Sequence, residues 1–265
     1  MKILSLLIGL LISHHWPDAA KLRQHAWMLA LPARVSGNQR DWLPVAVLVA
    51  VTVGAGALIT ALAWAWAGMF GLLLVGIVGV LYTLGPAHLD RDIERASNPL
   101  EPHLQQIALE RLLLRTDSTG PQAAAASLHA ALARWFGIVF WFALLGLPGC
   151  LLYRAVREAH HDERLTAAER SWIGRLLGWL NWPVVLLMIG AIALMTDYDR
   201  VRTTFHARED RWRLPAAILD DLANALCDAE GDLAEGLADG RKLAWRALLL
   251  WLAVLSLMLL AGLIN

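Results

Sequence analysis

Apolar and charged positions are segregated along this chain instead of alternating at helical spacing. Residues 42–87 form 46 consecutive positions without Asp, Glu, Lys or Arg; 135–153, 176–196 and 247–265 form further uncharged bands of 19, 21 and 19. A helix needs roughly 20 apolar residues to cross about 30 Å of hydrocarbon. Helices of a water-soluble domain carry polar residues along their outer face. The pattern predicts an all-α fold, a polytopic helical membrane protein with about 4–5 transmembrane helices and amphipathic helices between them. Residues 1–265 read as a single helical membrane domain.

The longest band has room for two spans and a turn, a membrane hairpin over 43–85. Leu43–Ala63 and Met69–Gly85 are its arms and Trp64–Gly68 its turn, where two Trp suit a membrane–water interface. Trp42, Trp135, Trp179, Trp182 and Trp245 flank the other band edges. Ala50, Gly54, Ala57 and Ala61 set small residues three and four apart, the spacing that lets another helix approach closely, and Gly76 and Gly79 do the same in the second arm. The 135–153 band contains Gly146-Leu147-Pro148-Gly149, which predicts a broken membrane helix. Residues 176–196 read as a membrane helix and 247–264 as a C-terminal one.

The remaining segments are polar. Met1–Ser13 is too short to span; without a small-x-small cleavage site after it, it reads as a re-entrant or interfacial helix within an N-terminal 1–42 region of interfacial helices. Residues 88–134 read as helical, with Ile107, Leu112 and Leu113 in a stripe and a break at Thr116–Pro121. In 154–175, Thr166-Ala167-Ala168-Glu169 is a capping box. Residues 197–246 are polar and mostly helical, with Gly231, Gly236 and Gly240 weakening parts of them. Lys and Arg number five in 1–42, five in 88–134, five in 154–175 and eight in 197–246. With every band crossing, the favoured reading, the N-terminal and the two longer segments fall on the cytoplasmic side; a re-entrant 135–153 band around Pro148 is the alternative.

Net charge is zero, which suggests no nucleic-acid partner; the bilayer is the expected partner. No HExxH, GxxxxGK[ST], CxxC or GxSxG is present, no cofactor is implied, and His160–Glu163 lacks a further ligand at metal-binding spacing. Cys150 and Cys227 read as two small buried residues and not as a disulfide or metal site. Two clusters next to bands stand out, His88–Arg95 and Asp197–Arg200. For the first the sequence suggests local pairing of Arg91 with Glu94 and of Asp92 with Arg95; for the second, a polar end to a span, with two carboxylates two apart that could instead hold a divalent cation with a phosphate.

Several blocks resemble a known family. Arg115-Thr116-Asp117-Ser118, Ser127-Leu128, Phe140-Trp141-Phe142-Ala143-Leu144-Leu145-Gly146-Leu147-Pro148-Gly149 and Leu152-Tyr153-Arg154-Ala155-Val156 resemble the CobD/CbiB superfamily of membrane enzymes. Those enzymes attach an aminopropanol phosphate arm to a corrinoid acid with ATP and a metal. Leu177-Gly178-Trp179-Leu180-Asn181-Trp182-Pro183, Thr196-Asp197-Tyr198-Asp199 and Trp245-Arg246-Ala247-Leu248 look more like its AmpE branch, inner-membrane proteins associated with β-lactamase regulation. Where the enzyme branch carries carboxylates and an amide, this chain reads Ala126-Ser127-Leu128-His129-Ala130-Ala131. Hard oxygen ligands are what Mg²⁺ with ATP requires. The resemblance therefore implies a bacterial inner-membrane, multi-pass, AmpE-like protein of the β-lactamase or cell-envelope response without established catalysis. A corrinoid-arm synthase with a degenerate site and a small transporter are the competing readings. Arg115, Asp117, Asp197, Asp199 and Arg91 are the candidate polar pocket, with an anionic small molecule or an envelope-stress protein as its partner.

Overall fold

In a computed structural model the described residues are 2–15, 28, 30, 33–34, 36–37, 40–84, 89–210, 215–227 and 231–261. Among them the chain is helical throughout, with no strand. His88 and the side chains of His14 and His15, singled out in the sequence, lie outside the described residues. Four helical runs are long and apolar enough to cross a membrane: Leu43–Thr83, Gly120–Leu145, Ala167–Met195 and Leu233–Leu260. The chain is a multi-pass membrane protein. It divides into two compact units, one of residues 1–86, 137–180 and 255–265, the other of 87–136 and 181–254.

In the first unit, α1 is Lys2–His15 and α2 is Leu43–Thr83, whose 41 residues would reach about 60 Å if straight. They do not run straight, because Gly68 takes φ 54° and ψ −131°, a backbone conformation open to glycine. The chain folds back there, and Gly71 packs directly on the carbonyl of Ala63. A Cβ on Gly56 would stand 2.7 Å from the Cα of Pro148, and Gly79 packs on the neighbouring Leu147. In one straight helix Gly56 and Gly79 would be about 35 Å apart. The expected hairpin is present, its turn within the expected Trp64–Gly68 stretch, and Trp64 and Trp66 are exposed beside it.

A second hairpin follows the same rule. Helix α6 (Gly137–Leu145) ends at Gly146, with φ 70° and ψ −147°, and α7 (Leu147–His160) returns against it. Gly149 packs on the carbonyl of Trp141, and Gly137 packs on the ring of Tyr153. Residues 137 and 153 therefore lie side by side, and the 135–153 band turns back on itself at Gly146, with its first half continuing the span-length run Gly120–Leu145. Its tip, with Leu147 and Cys150 buried, seats against Gly56 and Gly79 near the middle of the first hairpin's arms. A backbone break inside a membrane survives when protein covers it in this way.

One further expectation changes. The Ala50–Gly54–Ala57–Ala61 stripe is exposed, and the packed face of the first arm is Leu48, Thr52 and Gly56. Gly56 meets the backbone of Pro148, whereas nothing lies within 4 Å of a Cβ on Gly54. The N-terminal helix α1, open to a re-entrant or an interfacial placement, packs along the first hairpin. Ser5 Oγ donates to the Leu73 carbonyl and Gly9 abuts Val80, so α1 runs lengthwise and parallel to the second arm. Helix α8 (Ala167–Met195) opens on the expected capping box, Thr166 N–H donating to Glu169 and Glu169 N–H to Thr166 Oγ1. Cys150 and Cys227 are both free.

The second unit assembles α3 (Leu89–Ala96), α4 (Pro102–Leu112), α5 (Gly120–Ala131), α9 (Tyr198–Ala207), α10 (Ile218–Leu226) and most of α11 (Leu233–Leu260). A π-helical turn, Leu132–Phe136, continues α5. Gly236 and Gly240 do not loosen α11; they let it lie directly on the backbone of α5 at Gly120 and Ala124. Leu113, expected in the apolar stripe with Leu112, is exposed and takes φ 57°, closing α4 in the left-handed region.

Candidate functional site

Three band edges far apart in sequence meet in the second unit. Asp90 is the first charge after the long band, Arg134 the last before 135–153, and Arg246 the last before 247–265. In the fold Asp90 accepts from Trp245 Nε1 at 2.9 Å and pairs with Arg241 at 2.8 Å. The indole of Trp245 lies 5.2 Å from that of Trp135. Next to Trp135, Arg134 Nη1 donates to Asp92 at 2.6 Å, and Arg111 Nη1 reaches the other oxygen of Asp92 at 3.2 Å. Phe136 packs edge-on against Trp251. Three successive residues of the π turn thus each find a partner, and π turns recur at sites that a regular helix cannot shape. The paired Trp rings beside the last charges mark a membrane–water boundary.

Asp92 is 1% exposed. A buried carboxylate persists in ionised form only when paired and hydrogen-bonded, and two arginines from different helices supply that here. The local Asp92–Arg95 pairing suggested by the sequence is not what forms.

A cavity of about 530 Å³ opens on the same unit between the end of α4, the start of α5 and α10. Leu112, Leu114, Ala125 and Ala126 give it an apolar wall, while Arg115, His129, Asp220 and Asn224 supply polar groups. His129 Nε2 lies 2.9 Å from Asp220 Oδ1. Asn224 Nδ2 donates to the Asp220 carbonyl, and the Arg115 N–H donates to Ser118 Oγ at 3.0 Å. Few polar groups set around an apolar wall are the usual make-up of a small-molecule site.

Of the residues expected in a polar pocket, Arg115 and Asp117 form an exposed pair at 3.2 Å, with Arg115 in the cavity wall. Asp197 caps α9, accepting from Arg200 N–H at 3.1 Å. Asp199 is exposed in the first turn of α9, and Arg91 is exposed on α3. No hydrogen bond or ion pair among the described residues joins these last three to the Arg115–Asp117 turn. An Asp just before a helical run is itself a cap signal, which accounts for Asp197 without a ligand. His129, Asp220 and Asn224 were not singled out as site residues, because a contact spanning 91 residues leaves no local spacing to read.

Among the described residues no group of three His, Cys, Asp or Glu side chains is arranged to hold a metal ion. No protein-family model, curated protein or solved structure matches the chain. Fold and site together define a multi-pass helical membrane protein whose second unit carries the Asp90 and Asp92 ion pairs and the cavity beside Arg115.

Proposed function

We propose that this chain is an AmpE-like inner-membrane protein that senses or relays a signal in the β-lactamase or cell-envelope response and performs no catalysis. What carries this reading is the commitment of its acids. Asp92 is held between Arg111 and Arg134, and Asp90 between Arg241 and Trp245. Phosphoryl chemistry with Mg²⁺ needs carboxylate oxygens free to take the ion, and those of Asp90 and Asp92 are spent on arginines. The cavity beside Arg115 is the natural receiving site. Its apolar wall suits the body of a small ligand, and Arg115 and His129 suit an anionic group.

The reading is tested in a bacterium that carries this gene and an inducible β-lactamase. Deleting the gene changes induction by a sub-inhibitory β-lactam, and the wild-type chain restores it. A chain carrying Arg115→Ala and Asp220→Ala inserts normally and does not restore it. Unchanged induction on deletion, or rescue of a strain lacking the corrinoid-arm synthase, would overturn the proposal.

A further inference from the structure

We propose that the membrane boundary of the second unit holds the headgroups of anionic phospholipids on Arg91, Arg95 and Arg246. The observation is an excess of cations in one layer. Arg91, Arg95, Arg111, Arg134, Arg241 and Arg246 lie on the helices that meet at the Asp90–Trp245 hydrogen bond or pair with Asp92 beside it, and α3 sets three acids among them, Asp90, Asp92 and Glu94. Asp92 is taken up by Arg111 and Arg134, and Asp90 by Arg241. The surplus falls on Arg91, Arg95 and Arg246, all exposed and, among the described residues, without an ion pair.

Their placement selects the ligand. Arg91 adjoins Asp90 and Arg246 adjoins Trp245, so two of the three arginines flank the Asp90–Trp245 hydrogen bond, which with the Asp90–Arg241 pair ties α3 to α11. Arg95 is one turn along α3 from Arg91, on the same face of the helix. The uncharged stretch 247–265 begins immediately after Arg246, and the Trp135–Trp245 pair lies at that level. Guanidinium groups at this depth meet phosphates where bilayer headgroups lie, and Arg binds phosphate through paired N–H donors. Each arginine near an anionic surface contributes a factor of roughly five in affinity.

The test uses the full chain in neutral detergent, with thermal unfolding followed as lipid is titrated in. Phosphatidylglycerol raises the unfolding midpoint of the wild type, and phosphatidylcholine does so far less. In the variant R91Q/R95Q/R246Q the apparent affinity for phosphatidylglycerol falls by about two orders of magnitude while the lipid-free midpoint stays unchanged. Arg202→Gln, an exposed cation on α9, leaves the response intact. Equal responses to the two lipids, or a response preserved in the triple variant, would overturn the proposal. So would equal stabilisation by soluble glycerol phosphate, which would make the site one for free phosphate. If the triple variant unfolds before lipid is added, single substitutions at each arginine replace it; a response undiminished in all three would count against the assignment.

Discussion

Asp92 and Arg134, 42 residues apart, meet as a buried ion pair with Oδ2 2.6 Å from Nη1. The side chain of Arg134 is only 13% exposed, so removing its partner leaves a charge with little access to water. Asp92→Ala should lower stability by about 3–5 kcal/mol, the usual cost of breaking a buried pair. Asp92→Asn, which keeps an acceptor, should cost less. Thermal unfolding in detergent measures both, and an Asp92→Ala midpoint equal to wild type would contradict the burial.

Gly56 and Gly54 sit two residues apart on the first arm of α2 and should respond in opposite directions. A Cβ at Gly56 would press on Pro148 at 2.7 Å, whereas nothing lies within 4 Å of one at Gly54. Gly56→Ala should cost about 1–3 kcal/mol through overpacking. Gly54→Ala should be neutral or stabilise by up to about 1 kcal/mol through helix propensity. Unfolding midpoints of the two variants side by side decide the matter, and equal effects would remove the contact between the two hairpins.

Glu169 does more than cap α8. Fully buried, it accepts from Ser36 Oγ at 2.6 Å and Gly37 N–H at 2.9 Å as well as from Thr166 N–H. Glu169→Ala orphans those donors and should cost more than Thr166→Ala, which loses only a cap worth about 1 kcal/mol. Proteolysis near residues 36–37 should quicken in Glu169→Ala alone; equal behaviour of the two variants would mean that the tether is absent.

The turn before α8 should loosen in acid. The Arg164 side chain, hydrogen-bonded to Asp162, holds its carboxyl below the ordinary aspartate value; burial opposes this and the Arg164 N–H adds to it. A carboxylate depressed by folding stabilises the fold above its unfolded value, about 3.9, and that contribution fades as pH falls through the folded value. Protection of the Arg164 amide against hydrogen exchange, corrected for intrinsic rates, should hold at neutral pH and decline below about pH 4. Asp162→Asn should show weak protection at every pH, and a wild-type profile flat into acid would exclude the linkage.

Local chemistry was readable from the sequence and long-range chemistry was not. The turn at Gly68, the break at Gly146 and the capping box at Thr166–Glu169 depend on residues within a few positions of one another, and each forms where the pattern puts it. Whether 135–153 crosses depends on what covers its break, and Gly56 and Gly79 lie 67 or more residues away. Asp92 offered Arg95 as a neighbour at helical spacing, yet its partners come from α4 and the π turn. In the candidate site, Arg115 and Asp117 were visible as a local pair, while His129 and Asp220 meet only through the packing of α5 on α10.

The central claim is that the acids of the polar unit serve the fold and not a reaction. The double variant Asp92→Leu with Arg134→Met tests it most directly, because apolar replacement of a buried pair is often neutral or stabilising, and Arg111, with 46% of its side chain exposed, can turn to solvent. Thermal midpoint and β-lactamase induction are measured together in Asp92→Ala and in the double variant. Asp92→Ala should lose both, and the double variant should recover both. Recovery of the midpoint without recovery of induction would contradict the claim, since it would give the Asp92 carboxylate a role beyond holding the helices.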